Sequence, residues 1–200
     1  MARKPAKNAA LDDPEGPKRL NELLDCAGEL IARQGYDGTS MRDIAREFGI
    51  LAGSIYHYFP SKEALFLAIH TRVVDGMIER FHTAAALSEN PEERLRHVLT
   101  AHINGLLGSG ALLRIISPDQ MRTPEMAARI ASERRVYERL FAQCLEALSF
   151  APEVDARILR LNLLGSLNWV PVWHRPDGRY QVSEIVDQMM LMVKGLMRAN

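Results

Sequence analysis

Ser54, Tyr56 and His57 put three hydrogen-bonding side chains within four residues. Ser40 and Arg42 stand upstream of them and Lys62 downstream. Neutral donors on a short helix suit the edges of bases, and cations or free backbone N–H groups at helix starts suit phosphate. Catalytic chemistry has no comparable constellation. There is no glycine-rich phosphate loop after a strand, no nucleophile elbow, and no carboxylate pair with a partnering histidine in one motif. An enzyme is therefore not expected. Nor is a metal site: His97 and His102 are five residues apart, about 140° around a helix, and cannot share an ion. The spacing calls for no cofactor.

The elements around these residues are short. Ser40 is a capping residue, with Asp43 three positions on where a capping-box acid stands. Met41, Ile44, Ala45 and Phe48 share one helical face, and Gly49 ends the helix. A second short helix is predicted over Ala52–Tyr58, stopped by Pro60, with Ile55 and Phe59 turned to the core. Two short helices about a glycine turn make a helix-turn-helix, whose second helix enters the DNA major groove. Ser40 and Arg42 open the first helix and Lys62 opens the next, places that attract phosphate.

These residues carry a resemblance. GYDGTSMRDIA followed by G-I-L-x-G-S-I-Y-H-Y-F-P-S-K-E-A-L, within Arg19–Ala68, looks like the DNA-binding signature of the TetR/AcrR family of bacterial transcriptional regulators. The resemblance implies that Ser54 and Tyr56 contact backbone or bases, His57 a base edge, and Tyr58 a phosphate or the packing surface. It also implies a ligand-responsive repressor on double-stranded operator DNA. Two positions depart from the pattern. Leu51 stands where a capping Ser is usual, and Ala52 where a polar residue is common.

The remaining chain reads as helices throughout. Pro17–Gln34 is amphipathic through Leu20, Leu23, Leu24, Ala27, Leu30 and Ile31. Ser61 caps a long helix striped by Leu65, Ile69, Val73, Met77 and Phe81, running to about Leu87. Prolines near a first helical position announce further starts at Pro91, Pro124 and Pro152, with a short helix at Ala111–Ile116 between them. The Pro152 helix is expected to run to Trp173, with Pro171 bending its last turn, and the last helix to span Ser183–Met197. The expected fold is all-α: a three-helix head and a C-terminal bundle of about six helices, nine in all. The expected division is a disordered arm (1–16), a DNA-binding head (17–62) and a ligand-binding and dimerisation body (63–200). In the family the helix after Ser61 joins head to body, which implies a transmitting role.

Two features of the body point to partners. Ile185, Val186, Met189, Met190, Val193, Leu196 and Met197 cover more of the last helix than one core face needs, and Gly165 and Ser166 permit close helix approach. With the resemblance, this implies a homodimer through the last two helices and a near-palindromic operator. Trp169-x-x-x-Trp173-His174-Arg175-Pro176-x-Gly178 is similar to a pattern in the TetR branch that controls fatty-acid or sterol breakdown, whose ligands are acyl-CoA thioesters. That resemblance implies an effector with an apolar tail and a phosphorylated head. Its candidate contacts are Met121, Arg134, Arg135, Trp169, Trp173 and Arg175.

Composition bounds these readings. Apolar residues make up 47% of 200, enough for a core, and formal net charge is zero. Residues 1–70 hold nine Lys/Arg against ten Asp/Glu, a difference of −1. DNA contact then rests on a few placed cations, and non-specific affinity is modest. Cys26 and Cys144 lie apart in apolar helical patterns and read as core residues of a reducing cytoplasm. No apolar run reaches membrane-spanning length and no signal-peptide pattern opens the chain. The rival reading is a ligand-sensing module whose DNA binding is weak or lost.

Overall fold

The computed structural model describes residues 16–108 and 123–198. Met121, the helix expected at 111–116 and the arm 1–15 lie outside the described residues. Eight α-helices run in order among the described residues: α1 (Gly16–Gln34), α2 (Met41–Phe48), α3 (Ile55–Tyr58), α4 (Lys62–Ala85), α5 (Pro91–Gly108), α6 (Pro124–Glu146), α7 (Ala156–Trp173) and α8 (Val182–Lys194). The fold is all-α, as expected. Extended pairing among the described residues is confined to one isolated bridge between Phe150 and Met197. The chain divides into two compact units, Met1–Arg72 with Ala111–Ile130 and Val73–Gly110 with Ala131–Asn200.

In the first unit, Leu23, Leu24, Ala27, Leu30 and Ile31 of α1 meet Met41, Ile44 and Ala45 of α2, and Ile55 and Phe59 close the same cluster. Leu65, Phe66 and Ile69 of α4 and Met126 and Ile130 of α6 complete it. Burying a side chain such as Ile44 or Ile55, both fully covered, stabilises by about 1.5–3 kcal/mol. Tyr36 packs edge-on against Phe66, ring centres 5.1 Å apart. Ion pairs add little energy but orient the helices: Arg33 joins Glu47 at 2.9 Å between α1 and α2, and Arg72 of α4 pairs with Asp25 of α1.

In the second unit α5 packs on α7 and α8. Leu95, Val98, Leu99 and Ile103 meet Phe141 and Leu145 of α6, Leu164, Leu167 and Val170 of α7, and Val186 and Val193 of α8. A Cβ on Gly105 would stand 2.9 Å from Met77 Sδ, so α5 packs against the Met77 side chain of α4, which would have to shift for a larger residue. Lys194 of α8 reaches Glu92 of α5 at 2.6 Å, and Arg96 pairs with Asp187.

Three helix boundaries differ from expectation by three residues or more, each for a local reason. α3 begins at Ile55 rather than Ala52, because Leu51 has no side-chain acceptor for a first-turn N–H. Residues 52–54 form a turn closed by Ser54 N–H donating to Leu51 O at 2.8 Å. α7 begins at Ala156, not at Pro152, because the Asp155 carboxylate accepts from the Arg157 and Ile158 N–H groups at 2.8 and 3.0 Å. Pro171 lies inside α7, which continues to Trp173. α8 ends at Lys194, three residues early, since the chain beyond it turns to join residues 149–151: Ala151 N–H donates to Leu196 O and Arg198 N–H to Ser149 O, both at 3.0 Å.

Candidate nucleic-acid interface

The head's reading edge is built on two pinned turns. Ser40 caps α2: its Oγ accepts from Asp43 N–H at 3.1 Å, while the Asp43 carboxylate accepts from Ser40 N–H at 3.0 Å and Oγ–H at 2.5 Å. Those bonds from Ser40, with a further contribution from Arg46, hold the Asp43 carboxyl below its ordinary range. Gly49 follows α2 at φ 78°, the left-handed conformation glycine adopts freely. Ile50 N–H then donates to Ala45 O at 2.9 Å.

This geometry orients α3. Ile55 and Phe59 turn inward, Tyr56 and His57 are exposed, and Ser54 and Tyr58 are half-buried. Arg42 is exposed on the first turn of α2. Ser54 makes no side-chain cap bond. Lys62 is engaged within the head: its Nζ donates to Tyr36 O at 2.8 Å and Thr39 O at 3.0 Å, and lies 4.1 Å from the Tyr36 ring centre. It thereby ties the 36–39 loop, which leads into the Ser40 cap, to the start of α4. The loop carbonyls gave no signal in the sequence from which this clamp could be foreseen.

The residues assigned to an effector, apart from Met121, which lies outside the described residues, are surface residues in this chain. Arg134 and Arg135 are exposed on α6, with Arg134 Nε 3.6 Å from Glu138. Trp169 is 62% exposed and Trp173 43%, both on α7, and the Arg175 guanidinium donates to the Val172 and His174 carbonyls. Ile158, Leu161 and Val172 of α7 and Leu191 and Met192 of α8 are exposed as well. Of the last-helix residues read as an oligomer signal, Ile185, Val186, Met190 and Val193 are buried within this chain. The outward apolar side chains are Leu196, from that same set, and Leu191 and Met192, which were not in it.

Sequence reasoning missed the interior polar group of this unit. His102 is buried with its ring nitrogens 2.8 Å from Tyr137 Oη and 3.2 Å from Asn168 Oδ1. Burial pushes its imidazole down to about 4, so the ring is neutral at pH 7. An open groove of about 430 Å³ between α4 and α5 was also unforeseen; Arg80, Ala84, Leu87, His97, Ala101 and Asn104 line it. Burial raises both the Cys26 and Cys144 thiols, which suits inert core residues. Among the described residues no group of three or more metal-ligating side chains comes together, and no helix is long and apolar enough to cross a membrane.

Two family models cover most of this architecture. Bacterial regulatory proteins, tetR family, matches residues 23–69, and the tetracyclin repressor-like C-terminal domain matches residues 88–197. The chain belongs to the TetR family. Among its TetR relatives, the HTH-type transcriptional repressor KstR2 of Rhodococcus jostii (strain RHA1) is 30% identical over 196 residues, covering 91% of this chain and 93% of that protein. KstR2 of Mycobacterium tuberculosis (strain ATCC 25618 / H37Rv) is 28% identical over 184 residues, 88% of this chain and 92% of the relative. The crystal structure of AibR in complex with isovaleryl coenzyme A and operator DNA superposes with a TM-score of 0.76 at 28% identity, covering 87% of this chain and 97% of AibR. These TetR proteins match this one from head to body.

Proposed function

We propose that this TetR chain is a transcriptional repressor that binds a near-palindromic operator as a homodimer and leaves it when a small hydrophobic effector binds. The exposed turn and helix from Ala52 to His57, held by the Gly49 and Lys62 anchors, is the observation that carries the DNA-binding part. Tyr56 and His57 meet base edges, Ser54 and Tyr58 the backbone, and Ser40 and Arg42 the phosphates at the start of α2. Lys62 acts by holding the loop that leads into that start. Residues 17–62 serve as the reading head and 63–200 as the effector and dimerisation body, with the arm 1–16 outside both roles.

The dimer reading is supported by the exposed apolar side chains of α7 and α8. Seven of them, from Ile158 to Met192, stay uncovered within one chain, a pattern that marks an interaction surface. The same face of a second copy is the natural cover, since a two-fold interface pairs one patch with itself. Trp169 and Trp173 belong to this face.

For the effector we favour an acyl-CoA thioester. The support is the Trp169–Gly178 pattern and the isovaleryl coenzyme A in the AibR complex. Arg134, Arg135 and Arg175 are exposed cations suited to phosphates, and Met121 belongs with the tail. Operator and effector are linked reciprocally: an effector that weakens DNA binding by some factor is itself bound more weakly on DNA by that factor.

The test is fluorescence anisotropy on a duplex selected from a random pool, with and without short- and long-chain acyl-CoA. Release is the expected result. A bound acyl-CoA that leaves operator affinity unchanged rules out this effector mechanism. A chain that retains no duplex at all favours the ligand-sensing module, a reading that the uncapped α3 and the charge of −1 over residues 1–70 would suit.

A further inference from the structure

Leu51 is 80% exposed, more than any other large apolar side chain among the described residues. A single exposed leucine is ordinary on a protein surface. This one is not free to move elsewhere. On one side Ile50 packs half-buried against the head's core and its N–H is bonded to Ala45 O. On the other, Leu51 O accepts from Ser54 N–H and Ile55 is fully buried. The backbone is thus held at both ends, and the isobutyl group has only the outward direction. Ala52 and Gly53, both exposed, follow it and carry at most a methyl group, so neither screens Leu51 from an approaching duplex.

The position matters because Leu51 opens the turn that leads directly into α3, and the N-terminal end of a recognition helix is the part that meets base edges. A leucine neither donates nor accepts a hydrogen bond, so phosphate and base heteroatoms offer it nothing. In the major groove the apolar feature of a base edge is the thymine C5-methyl group. We propose that Leu51 reads that methyl, which makes the residue where a cap is missing a determinant of operator sequence. The proposal rests on the DNA-binding reading above.

The test uses the full chain on duplexes selected from a random pool, with each thymine replaced in turn by deoxyuridine. That replacement removes the methyl and keeps every hydrogen bond. One thymine per half-site is expected to matter. Its replacement should weaken binding roughly fourfold, the factor that burial of about one methyl group gives, and replacement in both half-sites more than tenfold. With Leu51→Ser the thymine-to-deoxyuridine ratio should fall to one at that position, and with Leu51→Val it should be intermediate. Because serine can restore a cap and shift overall affinity, the ratio within each protein is the readout. Thermal melting checks that each variant is folded. The proposal is overturned if no thymine is sensitive, or if the sensitive thymine is equally so in Leu51→Ser. Failure to retain any duplex would remove the DNA-binding reading itself, a different result from binding without methyl sensitivity.

Discussion

Tyr137 Oη lies 2.8 Å from His102 Nδ1, and the two rings stack with centres 5.7 Å apart. Asn168 Oδ1 can only accept, so His102 Nε2 carries the proton and Nδ1 accepts a hydrogen bond from the Tyr137 hydroxyl. One neutral tautomer of a buried imidazole thus joins α5, α6 and α7. Burial also holds the Tyr137 phenol above its ordinary range, so it remains a donor throughout the accessible pH range.

Removing one partner of this chain should cost more than removing both. Tyr137→Phe leaves a buried Nδ1 acceptor without a donor and is expected to lower unfolding free energy by about 1–3 kcal/mol. The double variant His102→Leu with Tyr137→Phe removes the demand and should recover much of that loss. Denaturant unfolding of the three proteins checks the order.

The pH profile follows from the same ring. His102 has a folded value of about 4 against an ordinary value of 6.5. Between these values the unfolded chain binds a proton that the folded chain refuses, so stability rises with pH. The contribution is fully present above about 6.5 and lost as pH falls towards 4, a change of about 3 kcal/mol. Asp43 and Glu63 are also lowered, Asp43 chiefly by Ser40 and Glu63 chiefly by its own backbone N–H. Their contributions are therefore present above the usual carboxylate range and disappear only below it. Melting temperatures from pH 7 to pH 3 should show the His102 loss first, and the His102→Leu/Tyr137→Phe variant should lack it.

Gly49→Ala isolates a backbone effect. The added Cβ meets nothing within 4 Å, so the cost is that of holding φ 78° in an L-residue, about 1–2 kcal/mol. Gly49→Asn should cost less, because Asn tolerates that conformation. Equal melting temperatures for glycine and alanine would contradict this account of the turn.

Arg42 and His57 should fail in different ways. Arg42→Ala is expected to weaken every duplex alike and reduce the slope of log affinity against log salt by about 1 per subunit. His57→Ala should cost about 1–3 kcal/mol on the selected operator, relax one base position and leave the salt slope unchanged. Both residues are exposed, so neither variant should change the melting temperature.

Charges on the outward apolar face should separate the copies. Trp169→Asp combined with Leu191→Asp places unpaired carboxylates where a partner would bury about 1.5–3 kcal/mol of side chain each. Sedimentation velocity is expected to shift to the monomer with the helical circular dichroism unchanged. A persistent dimer would move the interface elsewhere.

Much of the head was legible in the sequence because its signals are local. Ser40 with Asp43, Gly49 and the inward Ile55 and Phe59 each act within one turn of chain, and the α1, α2 and α4 limits followed from caps and periodicity. The all-helical fold and the TetR resemblance came from the same short-range patterns. The start of α7 was misplaced because Pro152 and Asp155 compete, and only the bonds to Arg157 and Ile158 decide between them. What tertiary structure alone decided is which side chains face which way when an apolar pattern exceeds one face. Ile185 and Val193 went inward, while Leu191 and Met192 were left outside. The same holds for bonds between residues far apart in sequence: Lys62 on the Tyr36 and Thr39 carbonyls, and His102 between Tyr137 and Asn168. Caps and periodicity depend on neighbours a few residues away, whereas these contacts depend on distances that exist only once the helices have packed.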